Sequence, residues 1–420
     1  MTPAFSGIMV RYCGISKPDA AERIADTHVA SNIAPEARLL KKGADNVNDV
    51  AVSDQLHVNL WEINGSSILD LGVMINKWES IESIQVDLPW EVHARDVSDL
   101  GAKLNNEKTV AAIFNEVVYY QGAADQSYAE ISFRSVDDIQ GNAQSVRPKD
   151  RFCLVRLNPK SFELISLNLS DGSISTQLNI SIPFELKDAA FEKIYIRFRV
   201  KNVPPGVYSS VFKQKDRNIL SSSFVTRIID FRINVRRGTP DEILANDSSV
   251  RFPKFKKIHF FLTLERAQIC EFESQHFIGC RSLFDEEVWN EYVRLEAPRH
   301  ANPANVRNYL GYQWTASSEQ LQRDGITVTK PVKDLVVLGR FSHNSSNAFN
   351  ICRFIFLGLL FGMIGNGLWD IFKPTEESYW SGIVADKSAI FLIAGLCLFA
   401  VVLMFTPTDG WKFWNNKRRR

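Results

Sequence analysis

Residues 192–202 read EKIYIRFRVKN. Apolar and polar side chains alternate through the stretch: Ile194, Ile196, Phe198 and Val200 fall on one side, Tyr195, Arg197 and Arg199 on the other. A period of two is that of a β-strand, and one apolar face predicts a half-buried strand of the kind found in antiparallel sheets. The first set is expected inward and the second outward. The pattern recurs on both sides. SISTQLNISIPFEL (173–186) aligns Ile174, Thr176, Leu178, Ile180, Ile182 and Phe184, and TRIIDFRINVRR (226–237) aligns Ile229, Phe231, Ile233 and Val235. FKKIHFFLTLE (255–265) follows. Turn signals such as NVPPG (202–206) and RRGTPD (236–241) separate these runs, which predicts a β-sandwich-like domain.

Working outward, QLHVNLWEI (55–63), ESIQVDL (82–88) and SYAEISF (127–133) are strand-like, while 98–117 is more helical and SKPDAAERIADTHVA (16–30) reads as a short capped helix. A polar stretch at 134–150 suggests a boundary. SLFDEEVWNEYVRLEA (282–297) starts on a capping-box-like pattern and spaces Leu283, Val288, Tyr292 and Leu295 as a helix does. KDLVVLGRF (333–341) has the composition of a last strand. The expected organisation is an α+β body, mostly antiparallel, with an N-terminal domain over 1–145, a β-sandwich-like domain over 146–300 and a linker over 301–350.

Beyond it lie two apolar runs, about 354–369 and 388–405, read as a two-helix transmembrane hairpin over 351–411 with a basic tail at 412–420. Trp369, Tyr379 and Trp380 flank one side and Trp411 and Trp414 the other, in the manner of an interfacial aromatic belt. Arg340, Arg353 and the tail are basic, whereas the 370–387 loop holds four acids against two lysines. That bias predicts a multi-pass protein of the inner (cytoplasmic) membrane with both termini cytoplasmic, and no leader sequence is recognisable at the N-terminus. Gly358, Gly362 and Gly365 with Asn366 form a small-residue face that suits close helix packing, either within the hairpin or between copies in a homo-oligomer.

The net charge of +1 conceals segregation: 193–257 carries 15 Lys and Arg against five acids. A basic face implies an anionic partner. The candidate contacts are Tyr195, Arg197, Arg199, Arg232, Arg236, Lys256 and Lys257, with arginines as phosphate forks and Tyr195 as a stacking ring, for a nucleotide, a nucleic acid or acidic lipid. The competing reading is a solvated face balanced by acids elsewhere. The six cysteines form no C-x-x-C pair, and the spacing of Cys270, His276 and Cys280 fits no common zinc pattern, so neither a metal nor a cofactor is expected. There is no G-x-S-x-G, H-E-x-x-H or glycine-rich phosphate loop, which lowers the expectation of an enzyme.

In layout, though in no motif, this order of cytosolic body and terminal hairpin resembles the membrane effectors of bacterial anti-phage systems. The resemblance implies a module that senses a ligand or a separate sensor protein and controls oligomerisation and permeabilisation of the bilayer. A tethered scaffold without a pore is the alternative, and an unrecognised membrane-anchored enzyme comes third.

Overall fold

The structure is a computed structural model that describes residues 3–14, 53–123, 126–133, 151–183, 186, 191–213, 224–244, 250–283, 285–294, 306–323, 326–344, 355–366 and 394–399. The segment 16–30, the polar stretch 134–150 and the tail 412–420 lie outside these residues. The chain divides into two compact units, Met1–Ser210 with Ile228–Phe341, and Val211–Arg227 with Ser342–Arg420.

The fold is mostly β, in four sheets. The largest runs β17 (Phe277–Ser282), β18 (Tyr309–Ser317), β15 (Phe255–Glu265), β2 (Asp54–Ile63), β3 (Ser66–Asn76), β11 (Lys193–Val200), β8 (Arg151–Val155), β7 (Tyr128–Phe133) and β6 (Val118–Gln121), with β5 (Val97–Asp99) also paired to β11. A five-stranded sheet has the order β14 (Val250–Arg251), β1 (Met9–Cys13), β4 (Ser83–Leu88), β10 (Ile174–Ser181) and β9 (Phe162–Asn168). A four-stranded sheet orders β12 (Ser209–Lys213), β13 (Phe224–Ile233), β21 (Leu335–Asn344) and β16 (Ile269–Glu273), and β19 (Glu319–Arg323) pairs with β20 (Ile326–Lys330).

Two seams of the large sheet depart from the antiparallel expectation. β15 pairs β2 in parallel, and β11 pairs β8 in parallel. Both bring together strands distant in sequence, which needs crossover connections rather than hairpins. β2 and β3, by contrast, form a tight hairpin. Ile63 opposes Ser66, and the two residues between them, Asn64 and Gly65, have φ of 52° and 75°. Positive φ at both central positions is what a twist-matched two-residue turn requires. The large sheet also takes strands from both sides of residue 145, so the expected boundary falls between partners of one sheet.

Each face of the large sheet is buried, for different reasons. On one face Leu56, Val58, Leu60, Leu69, Leu71, Val73, Ile194, Ile196, Phe198 and Val200 pack with residues of the five-stranded sheet (Val10, Val86, Leu178) and with Ile229, Phe231 and Ile233 of β13. This is the sandwich core. On the other face Trp61, Met74, Tyr195 and Phe261 meet Val110 of helix α1 (Glu107–Phe114) and Trp289 and Tyr292 of a later helix. The short α2 (Asp241–Leu244) packs Ile243 against Phe5, Met9 and Leu169. The later helix, α3 (Glu286–Arg294), falls inside the segment read as helical from its spacing. The sandwich expectation thus missed a layer: the face carrying Tyr195, Arg197 and Arg199 is roofed by α1 and α3, and all three side chains are fully buried.

The membrane hairpin is overturned. Among the described residues no helix is long and apolar enough to cross a membrane. The first apolar run is helical over 355–366 and the second over 394–399. The inner-membrane, multi-pass placement falls with the hairpin. Within 355–366 the buried positions are Leu357, Leu360 and Ile364, whereas Gly358, Gly362, Gly365 and Asn366 are exposed. A Cβ added at any of the three glycines would meet nothing within 4 Å. The apolar ridge, not the small-residue face, is what this helix packs.

Candidate anion-binding site

The roofed face is polar where a second core would be apolar. Strand register sets its rows. His259, His57, Gly72 and Arg197 are lateral neighbours across β15, β2, β3 and β11, with Thr315 of β18 opposite His259. One row along lie Phe261, Asn59, Asp70 and Arg199, and on the other side Lys257, Gln55, Met74 and Tyr195.

Gly72 creates the space in the middle. A Cβ there would stand 2.0 Å from Tyr195 Oη and 2.9 Å from Arg197 Nη1. With only hydrogen at that position, two long side chains fold over the strand and their polar ends meet.

Asp70 anchors one end of the resulting network. Arg199 donates to it from Nε at 2.7 Å and from Nη2 at 2.9 Å, Trp61 Nε1 donates at 2.8 Å, and Tyr292 Oη donates at 2.7 Å. Arg199 also donates to the carbonyls of Tyr292 and Val293, which ties α3 to the sheet. Tyr292 is the link to the second arginine, because its hydroxyl accepts from Arg197 Nε at 2.9 Å. Arg197 Nη1 donates to Tyr195 Oη at 2.8 Å, and Tyr195 Oη lies 3.1 Å from His57 Nδ1.

A guanidinium only donates, so each tyrosine oxygen accepts a hydrogen bond from Arg197. Tyr292 donates its own to Asp70. Tyr195 Oη and His57 Nδ1 share a hydrogen bond whose donor is set by the His57 tautomer. The ring of His259 stands 5.2 Å from that of His57, and its Nδ1 lies 2.9 Å from Thr315 Oγ1.

The electrostatics are lopsided. Asp70 is shared between two buried guanidiniums and is bonded bidentately by Arg199. Among the described residues Arg197 makes no ion pair, and its Nη2 is buried without a hydrogen-bond partner. Burial, then the cationic neighbours His259, Arg197 and Lys257, hold the His57 pKa well below the usual range. Burial and Lys257 push that of His259 down to about 4. Burial likewise raises the tyrosine hydroxyls of 195 and 292. At neutral pH the row is therefore neutral histidines and phenols around a buried guanidinium, whose charge burial disfavours and Tyr195, Tyr292 and Asp70 favour.

The other expected contacts are dispersed. Arg232 lies on β13 in a different sheet and pairs with Asp230 two residues away at 2.9 Å. Arg236 sits over the Phe252 ring, 4.4 Å from its centroid. Lys256 is exposed on the other side of β15, whereas Lys257 is half-buried on the side of His259. One basic face joining Arg197 and Arg199 to Arg232 and Arg236 does not form. His57, Asp70, Gly72, Tyr292 and His259 complete the site instead. Asp70 and Gly72 left a trace in the sequence, as an acid and a glycine inside the otherwise apolar run SSILDLGVMIN (66–76). A glycine within a strand marks a close approach. Among the described residues no group of histidines, cysteines and acids is arranged to hold a metal ion.

No family model and no curated protein matches this sequence.

Proposed function

We propose that the chain is a ligand-responsive binding module whose ligand is anionic, and that occupancy controls its association with further copies or with a separate partner protein. The observation that carries this reading is Arg197: wholly buried, permanently charged and, among the described residues, without an ion pair and with Nη2 unsatisfied. Asp70 favours the Arg197 charge but is bonded directly by Arg199, so an added anion would supply the contact that Nη2 lacks. The surroundings favour binding over catalysis. A general acid or base works best with its pKa near the operating pH, and here both histidines are pushed well down and both tyrosines up. Tyr292 ties Arg197 to α3, since its hydroxyl accepts from Arg197 while its backbone belongs to that helix. Bilayer permeabilisation rested on the hairpin and is not carried forward.

Thermal unfolding in a zwitterionic, anion-poor buffer tests the reading against a panel of phosphate, sulfate, carboxylates and nucleotides. A ligand that binds the folded state alone adds about 2.7 kcal/mol at a hundred times its Kd. At least one anion should raise the midpoint of the native chain and leave Arg197→Gln unmoved, and light scattering should show a change in assembly. A panel without any shift would overturn the proposal.

A further inference from the structure

We infer that Cys270 and Cys280 are a redox pair that closes to a disulfide across the edge of the sandwich, by exchange with a small-molecule disulfide of the glutathione class. The inference is independent of the anion-site reading. Both residues are free thiols, Cys270 half-buried and Cys280 exposed. They stand on consecutive strands of different sheets: β16 is an edge of the four-stranded sheet and β17 an edge of the largest one. The chain crosses between the sheets in a turn over 274–276, where Phe277 N donates to Ser274 O at 3.0 Å. Both thiols face the sandwich core. Cys270 packs against it. Cys280 is the register partner of Tyr312, itself a member of that core, and opposed residues of an antiparallel ladder share a side.

Tyr312 spans the gap between the two sheets at this edge. Its ring meets that of Phe341, on the β21 strand beside β16, with centroids 4.9 Å apart. Its hydroxyl donates at 3.3 Å to the carbonyl of Gln268, two residues before Cys270. One tyrosine side chain therefore reaches from the partner of Cys280 to the strand of Cys270. Burial, then Glu273 and lastly Cys280 push the Cys270 thiol up to about 11, and both thiols act on the Tyr312 hydroxyl, as neighbours do. Exchange suits the unequal exposure. The Cys280 thiolate attacks the small disulfide, and one thiolate leaves. Cys270, the resolving thiol, then attacks Cys280 Sγ and the second thiolate leaves. Each departing thiolate takes up a proton, so two cysteine thiols become one disulfide while one small disulfide becomes two thiols.

The test equilibrates the full chain in mixtures of reduced and oxidised glutathione, quenches with acid, then unfolds and alkylates it with a maleimide. Trypsin releases both cysteines in one peptide, 267–281, bounded by Arg266 and Arg281. In the oxidised chain that peptide should be lighter by two hydrogens and take up no maleimide. Cys280→Ser, a change at an exposed position, should leave Cys270 open to the maleimide. The folded chain should close at an oxidised-to-reduced ratio at least about tenfold lower than the same chain in urea, because the fold holds the sulfurs together. Closure as ready in urea would show that nearness in sequence alone makes the pair, and would overturn the inference. So would glutathione carried separately on each cysteine, two copies of the peptide joined to each other, or two thiols that take up maleimide at every ratio.

Discussion

Arg199 and Asp70 are joined by two hydrogen bonds, 2.7 and 2.9 Å long, with both side chains sealed from solvent between the large sheet and α3. Two further donors, Trp61 and Tyr292, also bond the carboxylate, both at Oδ2. Such a pair is strongly destabilising to break and contributes little when judged against an apolar replacement.

Replacing Asp70 with asparagine therefore leaves two buried guanidiniums with no anion. The expected loss is about 3–5 kcal/mol, read as a drop in the urea midpoint. Tyr292→Phe removes one hydroxyl and should cost less, about 1–3 kcal/mol. Equal losses in the two variants would show that the carboxylate does not anchor the network.

Gly72 gives a steric test. Alanine at this position sets a methyl against Tyr195 Oη and Arg197 Nη1, which are hydrogen-bonded to each other, with Tyr195 held also by His57. Crowding of this kind costs about 1–3 kcal/mol. Gly65→Ala probes a different cause, since its Cβ would meet nothing within 4 Å but its φ is 75°. The two losses should add, because they act at separate sites.

The pH dependence has a definite sign. The folded-state pKa of His259 is depressed to about 4 from an ordinary value of 6.5. At pH above 6.5 it is neutral in both folded and unfolded chains and costs nothing. As pH falls from 6.5 towards 4 the unfolded chain takes up a proton that the folded chain refuses, so stability is lost, on the order of 3 kcal/mol in all. Asp54 and Asp99 oppose this. Burial raises each to about 6, so they favour the fold as pH drops through that window. The informative quantity is the difference between native and His259→Asn stability curves. It should shrink steadily from pH 6.5 to 4, and a constant difference would contradict the assignment.

Much of the sheet was legible in the sequence. β10, β11 and β15 lie within the runs whose period of two announced them, β13 overlaps its run from residue 226 on, and β21 overlaps KDLVVLGRF. Alternation reports which residues share a face, and it placed Tyr195, Arg197 and Arg199 together correctly. It does not report what covers that face. Charged residues opposite an apolar set ordinarily face water, but here the partners that remove the water come from afar: Asp70 is 129 residues from Arg199, and Tyr292 is 95 from Arg197. The two parallel seams were hidden for the same reason, since nothing local marks a pairing between residues 54–63 and 255–265. At the other end of the chain, apolar content alone suggested a bilayer, yet the described helices bury a ridge of Leu357, Leu360 and Ile364 instead.

The central claim is that Arg197 is kept for a ligand rather than for the fold. Its most direct test is the unfolding free energy of Arg197→Met in anion-poor buffer, measured beside the native chain. Methionine fills similar volume without charge, and both tyrosine hydroxyls keep their other partners, Asp70 and His57. The account predicts a ligand-free stability within about 1 kcal/mol of native, or above it. A loss of more than about 3 kcal/mol would show that Arg197 holds the structure together, and the anion site would lose its foundation.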